Sequence, residues 1–248
     1  MELQGKVILV TGAAQGIGEA TARLCAARGA AVVLADWAHE RGEAVAADLR
    51  AGGGEASFVQ VDVRDDAAVA AAVAAVRARH GRLDALICAA GVLKGAYMQP
   101  EELPEETFDL VMDVNVKGSF LCVKHAAALL EESGQGVIIL IASGGGVTGP
   151  SSSLAYGASK AGVSGFGITL AKRLEPRGIR VNIVSPGNIA TELKLDVIRE
   201  EARLAGRDPE AAAVEARETL GDPAGVARVI AFLASPDAHY VRGTVFTR

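Results

Sequence analysis

Seven short apolar, often β-branched runs, separated by longer alanine-rich stretches, constrain this chain more than any other feature. They are KVILV from Lys6, AAVVLA from Ala30, ASFVQV from Ala56, LDALIC from Leu83, GVIILIA from Gly136, IRVNIV from Ile179 and GTVFT from Gly243. Each is strand-sized, and helical patterns lie between them over 16–28, 40–50, 66–80, 106–131, 155–175 and 223–234. Strand and helix in strict alternation imply parallel pairing, right-handed crossovers and helices on both faces. The expected fold class is therefore α/β, a doubly wound seven-stranded parallel sheet. Half of the 248 residues are hydrophobic and only 4% are aromatic, which suits an aliphatic core around a sheet buried on both sides, within the size of one domain.

One stretch breaks the alternation. Residues 190–221, containing ELKLDVIREEARLAGRDPEAAAVEARETL, form a charged, helix-prone insertion between the sixth strand and the last helix. Ligands of doubly wound sheets lie beyond the carboxyl ends of the strands, so an insertion leaving such an end is placed to act as a lid. The plain alternative is a surface excursion.

The net charge is −5 and the lysines and arginines are dispersed, which leaves no basic stripe for a phosphate backbone; nucleic acid is not an expected partner. The apolar run VIILIA from Val137 is far short of a membrane span, and the one in MELQGKVILVTG is too short for a signal peptide. No membrane partner and a soluble, cytoplasmic chain are expected. Cys25, Cys88 and Cys122 are far apart among apolar residues and read as reduced core thiols. His39, His80, His125 and His239 lack paired ligand spacing, so no metal is expected.

After the first run comes TGAAQGIG, with Gly12, Gly16 and Gly18, and Gln15 and Ile17 among them, where a strand turns into a helix. Glycines permit the tight turn and let backbone N–H groups approach a pyrophosphate at the positive end of that helix. In this strand-to-helix context the turn points to a dinucleotide. The second run ends in Asp36, near the distance downstream at which an acid accepts hydrogen bonds from the adenosine ribose. That carboxylate would repel a 2′-phosphate, and its neighbours Gln15 and Trp37 supply no cation to hold one, which favours NAD over NADP. Asp36 is otherwise a helix cap. Asp62, closing the third run before Val63, carries the same two readings and would lie near the adenine.

LAYGASKAG places Tyr156 and Lys160 four residues apart, on one face if the segment is helical. Tyrosine ionises near pH ~10, so proton transfer near neutrality needs about 4 kcal/mol of phenolate stabilisation, which a fixed ammonium is one way to supply. Such a pair also arises by chance, and alone it decides nothing.

Together TGAAQGIG, Asp36, the DV of Asp62 and Val63, YGASK and SPGNIAT resemble the short-chain dehydrogenase/reductase family, nearly end to end from Lys6 to Thr247. The resemblance implies a Rossmann-type single domain over 1–248, dinucleotide-binding and catalytic, that moves hydride between a nicotinamide and an alcohol or carbonyl carbon. It also implies a tetrad. Tyr156 and Lys160 match the family's YxxxK, Ser143 in IASGGG matches the serine that bonds the substrate oxygen, and Asn115 in DVNVKGSF matches the fourth member. On this reading Tyr156 is the acid/base, Lys160 lowers its pKa and binds the nicotinamide ribose, and Asn115 holds a water linking Lys160 to solvent. Pro186, Gly187, Ile189 and Thr191 match the segment at the nicotinamide carboxamide. Without the family, Ser143 is also a turn former and Asn115 a helix irregularity.

Two departures stand out. Cys88, Ala89, Ala90 and Gly91 replace the usual Asn-Asn-Ala-Gly; the missing amides buttress the sheet, while the cofactor approaches over Ala90 and Gly91, so altered local stability with retained binding is expected. TVFTR stands where relatives commonly continue to an Asp-Gly-Gly turn. This bears on the homo-oligomer, a tetramer or dimer, that the family implies, packed through the long helices holding Asn115 and Tyr156.

The substrate pocket is expected between GGGVTGPSSSL, GVLKGAYM and the lid, with Leu93, Val147, Leu154, Leu193, Ser152 and Ser153 as its walls. These suit a small-molecule secondary alcohol or ketone. Lys94 either attracts a substrate carboxylate or is simply solvated. NAD-dependent alcohol oxidation leads, with a 3-oxoacyl carrier-protein reductase and a non-catalytic nucleotide-binding scaffold as rival readings.

Overall fold

Alternate residues along each strand enter two separate apolar layers, as a sheet buried on both faces requires. Val7 and Leu9 join one layer with Val73, Leu129 and Leu170, whereas Ile8 and Val10 join the other with Cys25, Val45 and Ile230. The computed structural model describes residues 3–247; residues 1, 2 and 248, the outer bounds of the expected domain, lie outside the described residues. The strands are β1 (Val7–Thr11), β2 (Ala31–Asp36), β3 (Ala56–Gln60), β4 (Ala85–Cys88), β5 (Val137–Ile141), β6 (Arg180–Ser185) and β7 (Gly243–Phe246). All pair in parallel in the order β3-β2-β1-β4-β5-β6-β7. The expected doubly wound, Rossmann-type sheet is the fold of this chain.

The helices are α1 (Gly16–Ala27), α2 (His39–Ala51), α3 (Asp66–His80), α4 (Glu105–Met112), α5 (Gly118–Glu132), α6 (Leu154–Leu174), α7 (Glu192–Leu204), α8 (Pro209–Thr219) and α9 (Pro223–Ala234). Helices α3, α5 and α6 cover one face and α1, α2 and α9 the other. Asp65, Ser153, Thr191, Asp208 and Asp222 cap α3, α6, α7, α8 and α9 through their side chains. Helix α1 starts at Gln15 without a side-chain cap, so its first N–H groups stay available.

The order of connections reverses between β1 and β4, the place where doubly wound sheets open a crevice. Register sets Thr11 beside Cys88 and Cys88 beside Leu140, bringing the carboxyl ends of β1, β4 and β5 together.

The single helix expected over 106–131 is interrupted. Asp113–Lys117 forms a π-helical turn between α4 and α5. Asn115 sits in that turn with its side chain bonded outside the helix, to Val92 and Ser159, which fits the wider turn. The insertion at 190–221 folds into α7 and α8. Its two stems are joined where Ala190 N–H donates to Gly221 O at 2.8 Å and Gly221 N–H to Asn188 O at 2.9 Å. Arg199 binds Glu192 and Asp196 of α7 and Glu210 of α8, and Arg217 returns to Glu192, so the two helices are stapled to each other.

Candidate active site

A cleft of about 810 Å³ opens beyond the carboxyl ends of the strands. One end of it is shaped by close backbone approach. Gly12 has φ +68, and a β-carbon there would lie 2.6 Å from Ala90; one on Gly91 would crowd Asn115 Oδ1 at 3.3 Å and Lys160 Nζ at 3.5 Å. Only glycine fits such positions without displacement. Gln15, Gly16, Ile17 and Gly18 line the same wall at the uncapped start of α1, where N–H groups suit a pyrophosphate. Asp36 is buried at the end of β2, its oxygens accepting the N–H groups of Ala14 and Ala38, each at 3.0 Å. A carboxylate has lone pairs beyond those two for ribose hydroxyls. The donor set therefore fits a dinucleotide.

Around Asp36, Trp37 is 75% exposed at the rim, and Asp62 and Val63 line the cleft. Asp62 is paired: Arg64 approaches it at 2.6 Å, and that hydrogen bond is the main reason its pKa is lowered. Arg41 donates to Gln15 Oε1, so a cation does stand beside Gln15. It lies on α2, outside the cleft, in a neighbouring hollow of about 550 Å³.

At the departure from the usual Asn-Asn pair, Cys88 meets Cys122 of α5, and this contact together with burial raises its thiol pKa well above the usual value. All three cysteines are buried and unpaired. Thr11 fastens this segment: its carbonyl accepts Ala89 N–H at 3.2 Å and its hydroxyl accepts Ala90 N–H at 3.4 Å.

Further along, Ser143, Tyr156 and Lys160 line the cleft together with Pro186, Gly187, Ile189 and Thr191, and Gly144 N–H donates to Pro186 O at 2.7 Å. Helix α6 carries both Tyr156 and Lys160, and Lys160 Nζ lies 5.4 Å from the Tyr156 ring centroid. The Lys160 ammonium is buried, donates to Ile141 O at 2.8 Å and has no ion pair among the described residues. Burial pushes it down to about 8. Burial also raises the Tyr156 phenol, while a hydrogen bond with Ser143 works the other way. The net direction is opposite to the lowering expected of Tyr156, because spacing in a sequence reports a neighbouring charge and not the loss of water around it.

Asn115 does not line the cleft; it stands behind it, 1% exposed. Its Oδ1 accepts Val92 N–H at 2.8 Å, and its Nδ2 donates to Val92 O at 3.0 Å and Ser159 Oγ at 2.8 Å. Both amide hydrogens are thus committed to protein partners, which leaves only acceptor capacity for the relay water expected of this side chain.

The substrate walls differ from expectation. Leu93, Leu193 and Ser152 line the cleft, as does Lys94. Val147 packs on the core instead, Leu154 is 49% exposed at the start of α6, and Ser153 is buried as the cap of that helix. Thr148 and Ser151, from the segment GGGVTGPSSSL, also line the cleft, whereas Leu110 and Val114 are walls the sequence did not suggest, since they depend on how α4 and the turn after it fold back. Among the described residues no cluster of three potential metal ligands occurs and no helix is long and apolar enough to cross a membrane.

A family profile described as short chain dehydrogenase matches residues 6–202. The chain is 39% identical to a cis-4-hydroxycyclohexanecarboxylate dehydrogenase of Sinomonas cyclohexanicum, covering 97% of this chain and 93% of that one. It is 36% identical to a 3-oxoacyl-[acyl-carrier-protein] reductase of Thermotoga maritima, covering 99% and 96%. The solved structure of levodione reductase superposes with a TM-score of 0.88 at 34% identity, covering 98% of this chain and 95% of that one.

Proposed function

Because the chain belongs to the short-chain dehydrogenase family, oxidoreductases that act on alcohols and carbonyls with nicotinamide cofactors, we propose that it is an NAD-dependent dehydrogenase of secondary alcohols or their ketones. The observation that carries this reading is the partly buried Tyr156 on the wall of a cleft shared with Ser143 and Lys160, with Lys160 Nζ 5.4 Å from the Tyr156 ring centroid. When bound, the nicotinamide supplies the hydride acceptor. Tyr156 as phenolate takes the alcohol proton, and Ser143 holds the oxygen while its charge changes. Burial penalises a lone charge on either Tyr156 or Lys160, so the phenolate is tolerated while Lys160 keeps its own proton. Asn115 fixes α6 against the segment after β4 through Ser159 and Val92.

Asp36, without a cation paired to it among the described residues, supports NAD over NADP. The glycine turn with Gln15, Gly16, Ile17 and Gly18 would hold the pyrophosphate, Asp62, Val63 and Trp37 the adenosine end, and Ala90, Gly91, Pro186, Gly187, Ile189 and Thr191 the nicotinamide end. Helices α7 and α8 serve as the lid within one catalytic domain. The name of the Sinomonas relative supports placing cyclic secondary alcohols first among substrates. Phe120 on α5 and Ile168 on α6 are 47% and 61% exposed, which supports a homo-oligomer through those helices, checked by light scattering. A cytoplasmic location fits three unpaired, buried thiols.

Purified protein mixed with NAD and a panel of secondary alcohols should produce NADH absorbance, and Tyr156→Phe should lower the rate by at least about a hundredfold. Undiminished turnover in Tyr156→Phe would remove the assigned base. Preference for NADP with a 3-oxoacyl thioester would favour the carrier-protein reductase instead.

A further inference from the structure

Tyr97 is the one non-glycine residue with a left-handed backbone among the described residues, at φ +65. A β-carbon disfavours that conformation, and it persists where surrounding contacts over-determine it. Here the contacts come from two distant parts of the chain. The Tyr97 N–H donates to Ser152 O at 2.7 Å, and the preceding Ala96 forms an antiparallel bridge with Ser153. The Tyr97 hydroxyl donates to Glu201 Oε2 on α7 at 2.9 Å. The residue is 39% exposed; partial loss of water, with Glu201 beside it, pushes this phenol up to about 12, so it remains a donor at physiological pH.

Ser153 continues the connection inward. It is 1% exposed; its hydroxyl donates to Lys94 O at 2.6 Å and accepts the Tyr156 N–H at 3.1 Å. Hydrogen bonds joined by the covalent chain of Tyr97 and of Ser152–Ser153 thus run from α7 to the backbone of Tyr156. We propose that Tyr97 is a positioning residue that couples the α7–α8 cover to the end of α6 carrying Tyr156, so that the cover and the acid/base hydroxyl settle together. The proposal rests on the dehydrogenase reading for its meaning in turnover, but the coupling itself is a property of this chain alone.

Hydrogen exchange by mass spectrometry tests that coupling without a substrate. Tyr97→Phe and Glu201→Ala should each speed exchange about tenfold in α7 and in 152–157, and the double variant should match the singles, because all three remove one contact. Glu201→Gln keeps an acceptor oxygen and should stay near wild type. Faster exchange confined to α7, or additive effects in the double variant, would overturn the coupling. With an alcohol that is turned over, Tyr97→Phe should lower kcat and raise KM for the alcohol while Kd for NAD holds. An equal loss of NAD affinity would mark a general structural role and overturn the assignment. Absence of turnover in the wild type would sink the dehydrogenase reading and leave the exchange result standing.

Discussion

The two ends of one sheet treat buried charge in opposite ways. At the amino end, before β4, Asp84 is 2% exposed and surrounded: Arg82 approaches at 2.6 Å, Lys6 at 3.3 Å, and the Val7 N–H donates at 2.9 Å. Burial alone would raise its pKa, but Arg82, the Val7 N–H and Lys6 reverse that, and the carboxyl is held below its ordinary value. At the carboxyl end, Lys160 is also buried, and among the described residues it has only Ile141 O as acceptor and Asp36 only backbone N–H partners. A compensated charge supports the fold, whereas an uncompensated one stays responsive to whatever enters the cleft.

Four measurements can break or sharpen that contrast. Asp84→Asn should lower the unfolding free energy by about 3 kcal/mol in urea titration and leave kcat/KM nearly unchanged. A cost near zero would mean that the amino end is not held by its charges. Lys160→Met should do the reverse, losing at least about a hundredfold in kcat/KM, or ~2.7 kcal/mol, with Tm held or raised, since an apolar chain of similar length needs no counter-charge. A clear fall in Tm would show the ammonium to be structural.

Proton linkage gives a third, smaller effect. Lys160 has a pKa of about 8 in the folded chain against an ordinary 10.5, so between those values the unfolded chain binds more protons and stability rises with pH. The slope should not exceed about 1.4 kcal/mol per pH unit, and the raised Tyr156 pKa opposes it above pH 10, where the unfolded chain ionises first. Thermal denaturation across this range should show the rise in the wild type and a flatter profile in Lys160→Met. The smallest change is expected of Asp36→Ala, which should weaken NAD binding roughly fivefold in calorimetry and narrow the gap to NADP. An unchanged gap would direct attention to Arg41.

The seven strands were legible because strands buried on both faces read as unbroken aliphatic runs, and the glycine turn because strand and helix flank it. The π-helical turn was not. It changes which carbonyl each N–H meets without altering composition, and only Asn115 hinted at it. Val147, Leu154 and Ser153 were misassigned because a glycine-rich approach to a helix does not reveal which side chain becomes the cap. Tyr97 left no local signal at all, since its partner lies 104 residues away. The direction of the Tyr156 shift depended on burial, which neighbouring letters do not report.

The widened turn at Asp113–Lys117 also fixes the spacing of everything upstream of it. Removing one residue from it would restore uninterrupted α-helical winding and rotate the preceding turns by roughly 100° relative to α5. Leu110 and Phe108 would swing to new azimuths while Ser119 and Leu121 stayed anchored. Insertions and deletions should therefore be far less tolerated in these five residues than in the surface loops between other helices.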